Sequence, residues 1–176
     1  MVISKLIAGA VALTLGSAAA SEPAAPAPGL EYAFTARVEV AAPLELGEIG
    51  DGRRRFIAIT GGKFSGPMLS GEVLPGGGDW QTILPSGLTQ VEARYFLKAA
   101  DGTVIEVENV GVRVAEPAVI ERLARGEDVD PSAYYFRTTP RFSVRAGPHE
   151  WLRRSTFVAR GIRKPDHVLV DFYVVR

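Results

Sequence analysis

Apolar and polar positions alternate with a period of two along most of this chain, and follow a helical spacing in one place. From Val91 to Ala99, the residues Val91, Ala93, Tyr95, Leu97 and Ala99 share one side, and Glu92, Arg94, Phe96 and Lys98 share the other. That is the pattern of a half-buried strand. Asp101 and Gly102 then join it to a second strand over Thr103 to Val114, as in a short hairpin. Glu31 to Val40 places Phe34, Val38 and Val40 on one face. In Arg53 to Thr60, Phe56, Ala58 and Thr60 alternate with Ile57 and Ile59. Met68 to Leu74 reads as a strand ended by Pro75 and three glycines, with Gln81 to Leu84 as another short one. Tyr134 to Arg145, Thr156 to Arg163 and His167 to Val175 add three more, rich in Phe, Tyr and Val.

The single helix is expected over Pro117 to Arg125. Pro117 suits a first helical position, Val119, Ile120 and Leu123 keep helical spacing, and Gly126 stands just past the end. Many short strands, one helix and no strand-helix alternation define an all-β class, an antiparallel barrel or a sandwich. The barrel is preferred because closure removes the strand edges that would otherwise template aggregation.

One stretch breaks the alternation. Ile59 to Trp80 holds seven of the nineteen glycines, grouped at both ends of a short apolar segment, and finishes on Asp79 and Trp80. Glycine at that density weakens a strand unless the backbone must bend or admit a close neighbour. The expectation is a hairpin leading into a bent loop that presents Asp79 and Trp80 to a barrel mouth.

The first twenty residues carry a different pattern: Lys5, an apolar run from Leu6 to Leu15, and Ala18 to Ala20. They read as a signal peptide cleaved after Ala20, too short and interrupted for a spanning helix. Residues 21–29 alternate Pro and Ala as an extended linker, so the single folded domain is expected over 30–176. The mature chain would be periplasmic or secreted, with no stable membrane insertion. It would carry 20 acids against 19 Lys and Arg, a balance that argues against a nucleic-acid partner. The absence of cysteine excludes disulfides, thiolate chemistry and a lipid-modified N-terminal cysteine. Composition says nothing of oligomeric state.

The chain has no phosphate loop, dinucleotide fingerprint or nucleophile elbow, and no cofactor is expected. His149 and His167 lie in separate segments without ligands at metal spacing, and Glu127, Asp128 and Asp130 lack the oxygen pattern of a calcium loop, so no metal is expected either. The unusual feature is arginine, sixteen against four lysines, placed inside strands. Arg94, Arg113 and Arg137 each interrupt an apolar, aromatic strand. Either they face solvent, as alternation allows, or they point into the lumen, where a permanently charged guanidinium needs an acid or an anionic ligand.

Several segments together resemble the uncharacterised protein family 0311, the domain of unknown function 3237. They are Gly61 to Pro67, Gly71 to Trp80, Ala93 to Tyr95, Tyr135 to Phe142, and Trp151 with Leu152. The resemblance covers about Leu44 to Val175. It departs from the family pattern at Glu92, where the family has Asp, and at Arg153, where it has Asn. It implies a calycin- or lipocalin-like barrel with an enclosed cavity, and no reaction. As pocket residues it suggests Gly62, Trp80, Thr138 and Trp151, to be joined by Arg113.

Three functions follow from these residues. In an enzyme, Asp79 would be a general acid or base and Arg94 or Arg137 would hold an oxyanion, for proton-transfer chemistry of isomerase, cyclase or hydratase type. In a periplasmic carrier, the barrel would hold a small organic molecule, aromatic or carboxylate-bearing, against its arginines. In a purely structural role, Asp79 and Arg94 would form a buried ion pair fixing the loop.

Overall fold

The computed structural model describes residues 25–176, so the expected signal peptide and residues 21–24 of the linker lie outside the described residues. Among the described residues nine strands follow one another: β1 (Leu30–Val40), β2 (Leu44–Ile49), β3 (Gly52–Ser65), β4 (Gly71–Ile83), β5 (Leu88–Ala99), β6 (Val104–Val114), β7 (Tyr135–Ser143), β8 (Phe157–Arg163) and β9 (His167–Val175). The helix α1 (Pro117–Ala124) lies between β6 and β7, and short 3-10 turns occupy Pro131–Ala133 and Glu150–Arg154.

All pairings are antiparallel, in the order β1-β9-β8-β7-β6-β5-β4-β3-β2, and β1 also pairs with β3. That pairing closes an eight-stranded barrel of β1 and β3 to β9. β2 continues along the same edge of β3, pairing with Gly52–Phe56 where β1 pairs with Ile59–Ser65. Pro43 and Gly47 mask this strand in the sequence, because its side chains are all exposed and no face alternates.

The glycine-rich stretch is not a loop. β4 runs unbroken from Gly71 to Ile83, through Pro75 and the three glycines, and its ladders to β3 and β5 are interrupted by bulges. Gly77, at φ +90°, marks the bulge; a Cβ there would sit 2.3 Å from the Arg94 carbonyl oxygen, so only glycine fits. Because β4 resumes as a strand, consecutive residues point to opposite faces. Asp79 turns inward and Trp80 turns out, where it is 48% exposed and rests on Phe56 at 4.8 Å.

Inward side chains fill the barrel in layers. At one end Phe34, Phe64, Phe142, Phe157 and Phe172 pack with Leu97, Ile105 and Val107. At the other, α1 buries Ile120 and Leu123 against Ile83, Val91 and Phe136. Between them lies a belt of polar residues. Among the described residues no helix is long and apolar enough to cross a membrane.

Candidate functional site

The polar belt surrounds a cavity of about 50 Å³ whose walls come from all eight barrel strands, with Val168 and Val170 supplied by β9. Val38 and Val40 of β1, Ile57 and Ile59 of β3, Val91 of β5 and the two β9 valines give it an apolar lining. Into that lining project Asp79 and Gln81 from β4, Tyr95 from β5, Asn109 and Arg113 from β6, Thr138 from β7 and Arg163 from β8.

Asp79 is held by two N–H donors. Gln81 Nε2 donates to its Oδ2 at 2.5 Å, and the Glu92 backbone N–H donates to Oδ1 at 3.1 Å. The Gln81 amide is in turn fixed by Arg55, whose Nε and Nη2 both donate to Gln81 Oε1, at 2.9 and 2.7 Å. This assigns the amide without ambiguity: oxygen to the guanidinium, nitrogen to the carboxylate. Desolvation raises the Asp79 pKa above its ordinary value, and the Gln81 bond, Arg113, the Glu92 N–H and Arg55 oppose the rise without cancelling it.

Three guanidinium groups are buried around this one carboxylate, and they differ in how they are satisfied. Arg163 donates through Nη1 to the backbone carbonyls of Lys164 and His167. Arg55 has the Gln81 oxygen. Arg113 is 1% exposed, and its Nε and Nη2 have no hydrogen-bond partner among the described residues; its guanidinium carbon lies 5.7 Å from the Phe136 ring centroid. Desolvation first, then the nearby Arg55 charge, lowers its pKa to about 10, against the pull of Asp79. The Tyr95 hydroxyl, the Asn109 Oδ1 and the Thr138 Oγ1 are buried without partners as well. Burial, reinforced by Asp79, pushes the Tyr95 pKa up, so its phenol keeps its proton.

Of the residues expected from sequence, Asp79, Arg113 and Thr138 meet at the cavity. Arg94 does not: it stands on the outer face and pairs across the sheet with Glu108. Arg137 is outside too, donating to the Phe136 carbonyl at 2.9 Å with its guanidinium 5.1 Å from the Tyr135 ring. Both follow from alternation, since Ala93 and Tyr95, or Phe136 and Thr138, occupy the inward positions on either side. No guanidinium therefore bonds Asp79 directly among the described residues, and the expected ion pair with Arg94 or Arg137 is replaced by the Gln81 bridge. Trp80 is outside, and Gly62 pairs with Val38 and Val73 in the ladder rather than lining the cavity. Trp151 packs near Phe157, 5.8 Å between ring centroids, at the phenylalanine end. Sequence reasoning missed Arg55, Gln81, Tyr95, Asn109 and Arg163.

The fold and its interior define a closed, eight-stranded antiparallel β-barrel with a polar cavity. The chain belongs to the family described as "Protein of unknown function (DUF3237)", whose model matches residues 28–175. It is similar to the UPF0311 protein RPA1785 of Rhodopseudomonas palustris, 42% identical over 145 residues, which are 82% of this chain and 95% of that one. The crystal structure of RPA1785 superimposes with a TM-score of 0.83 at 41% identity, over 86% of this chain and all of that one. A beta-barrel like protein of Acinetobacter baumannii aligns at 0.75 and 35% identity, over 89% of this chain and all of that one. An enzyme from Penicillium herquei shares the fold at 0.65 and 18% identity, over 88% of this chain and all of that one.

Proposed function

We propose that the barrel interior binds a small organic molecule and moves a proton on it, with Asp79 as acid or base. The observation that carries this reading is the set of buried polar atoms without partners, on Arg113, Tyr95, Asn109 and Thr138, that converge on one apolar-walled cavity. Each unpartnered buried group costs about 1–3 kcal/mol, so a barrel built only for stability would fill these positions with valine and leucine.

The chemistry follows from the environment of Asp79. A carboxyl whose pKa is raised by desolvation exchanges its proton closer to neutrality than a solvated one. Gln81 and the Glu92 N–H fix both of its oxygens, and Arg55 fixes Gln81, so the carboxyl keeps one orientation. Arg113 supplies positive charge for an oxyanion developing on the bound molecule. That the distant Penicillium herquei neighbour is described as an enzyme agrees with this reading and adds no residue to it. On the signal-peptide reading of residues 1–20, the work is done in the periplasm or outside the cell.

A carrier that binds without turnover is the second reading, favoured by the two N–H bonds that hold Asp79 as an acceptor. Native mass spectrometry of the protein purified from its own host, followed by denaturing extraction, tests binding. The expected result is a released small molecule absent from Arg113→Met. A bare chain from every preparation overturns the small-molecule reading. Incubating the released molecule with wild type and Asp79→Asn then separates the two: turnover lost in the variant with binding kept supports proton transfer, and no turnover by either supports the carrier.

A further inference from the structure

On the reading that the barrel interior holds a small organic molecule, we infer that the molecule is a small carboxylate with an apolar tail, seated side-on against Nε and Nη2 of Arg113. Three observations lead there. Nε and Nη2 form one edge of the guanidinium, with two parallel N–H bonds, and on Arg113 both are buried without a partner. A planar carboxylate satisfies that edge with one oxygen on each N–H. The equivalent edge of Arg55 is occupied by Gln81 Oε1, and Arg163 is turned to backbone carbonyls, so Arg113 alone of the three offers this edge.

Charge points the same way. Arg113 and Arg163 line the cavity and Arg55 is buried behind Gln81, against the single lining carboxylate of Asp79, so the site carries an excess of positive charge that one monoanion reduces. The size and walls set the rest of the ligand. A water-sized site needs roughly 10–15 Å³ by the same measure, so about 50 Å³ admits a carboxylate and a short tail. Val91, Val168, Val170 and Ile59 offer that tail only aliphatic contact. Phosphate, bulkier, with four oxygens to satisfy and up to two negative charges to set beside Asp79, has one open guanidinium edge and the Tyr95 and Thr138 hydroxyls as donors, which suits it less well than a monoanion with an apolar tail.

The test uses the mature protein with sodium acetate and sodium propionate, each beside its neutral amide, and with sodium phosphate at equal ionic strength. Binding is read by calorimetry and by the ¹⁵Nε resonance of Arg113, assigned through its loss in Arg113→Met. The expected outcome is that both carboxylates shift that resonance, with propionate about fourfold tighter than acetate for its buried methylene. The amides and phosphate should leave it in place, and Arg113→Met should weaken propionate roughly 10- to 100-fold. Arg113→Gln reads the same loss should the methionine variant fail to fold. Amides binding as well as the acids would overturn the carboxylate and leave the small-molecule cavity standing. Phosphate displacing propionate, or propionate binding both variants as tightly as wild type, would overturn it too. So would no shift with any probe, while the mass-spectrometric search for a co-purifying molecule bears on the broader reading independently.

Discussion

On one side of Tyr95 the barrel is filled with phenylalanine, and on the other with arginine. Phe34, Phe64, Phe142, Phe157 and Phe172 approach one another with ring centroids 4.6 to 6.2 Å apart, and the space between them is closed by aliphatic side chains. In the other half Arg113 and Arg163, with Arg55 behind Gln81, lie around one carboxylate and several polar atoms without partners. The same strands build both halves, so the difference lies in which residues occupy inward positions. The aromatic half provides stability; the polar half gives some of it up, and its unmet hydrogen bonds are what a ligand would use.

Removing a buried ring from one half and the unpartnered guanidinium from the other should therefore have opposite signs. Phe34 is fully buried and stacks on Phe172 at 4.6 Å, so Phe34→Ala is expected to cost about 3–5 kcal/mol in urea unfolding. Arg113→Met removes a desolvated charge that has no hydrogen bond to lose at Nε and Nη2, and offers a flexible apolar chain of similar length. It should raise stability by up to about 4 kcal/mol while abolishing the site. A large loss of stability in Arg113→Met would mean that the guanidinium is structural, and the contrast between the halves would fail.

Much of this division was legible in the alternation, and the arginines show where legibility stopped. Tyr95 and Leu97 share a side that excludes Arg94, and Phe136 and Phe142 share one that excludes Arg137, so parity alone puts both arginines outside. Parity also puts Arg55 in line with Ile57 and Ile59, and Asn109 and Arg113 in line with Ile105 and Val107. A charged residue at an inward position is thus the signal to follow, rather than any arginine in an apolar strand. Asp79 could be picked out by its flanking glycines, but not its orientation, because bulges on both ladders of β4 break the count between Val73 and Gly77. The Gln81 bridge was beyond reach for another reason. It joins β3 to β4 through side chains, and neither register nor rotamer is written in a linear pattern.

The boundary between the halves can be pressed at Gly161, whose added Cβ would sit 2.4 Å from the Phe136 ring. That ring lies beneath Arg113 and against the seat of α1, so it has little room to shift. Gly161→Ala should cost about 1–3 kcal/mol by overpacking, without any backbone strain. A crystal structure of the variant would show the ring displaced; an unmoved ring with unchanged stability would mean the boundary is loose.

A smaller and pH-dependent effect is expected at Asp79. Its pKa is raised in the folded protein above the ordinary 3.8, so the folded state binds this proton more tightly than the unfolded one. The stability so contributed is complete below about 3.8 and is lost as pH rises through the folded pKa. Asp79→Asn cannot titrate, and its amide nitrogen must face either the Gln81 NH₂ or the Glu92 N–H, which sets a constant penalty. Melting temperatures of the two proteins across roughly pH 3–8 should therefore converge as pH rises through that interval. A gap that widens instead would show Asp79 to be a stabilised anion.

The smallest effect belongs to Arg94, and it tests the comparison from outside. Arg94 and Glu108 face each other across β5 and β6 as an exposed pair, and solvated pairs of this kind are worth about 0.2–1 kcal/mol. Arg94→Ala leaves Glu108 in water, so no buried charge is stranded and the inward neighbours Ala93 and Tyr95 keep their contacts. Its unfolding free energy should fall by less than about 1 kcal/mol, less still at high salt, and its propionate titration should match wild type. Arg113, one strand away on β6 and inward, should give the reverse on both measurements, since what separates the two arginines is the face of the sheet. A binding loss in Arg94→Ala as large as that in Arg113→Met would mean that the outer face reaches the cavity, and parity would no longer sort functional arginines from surface ones.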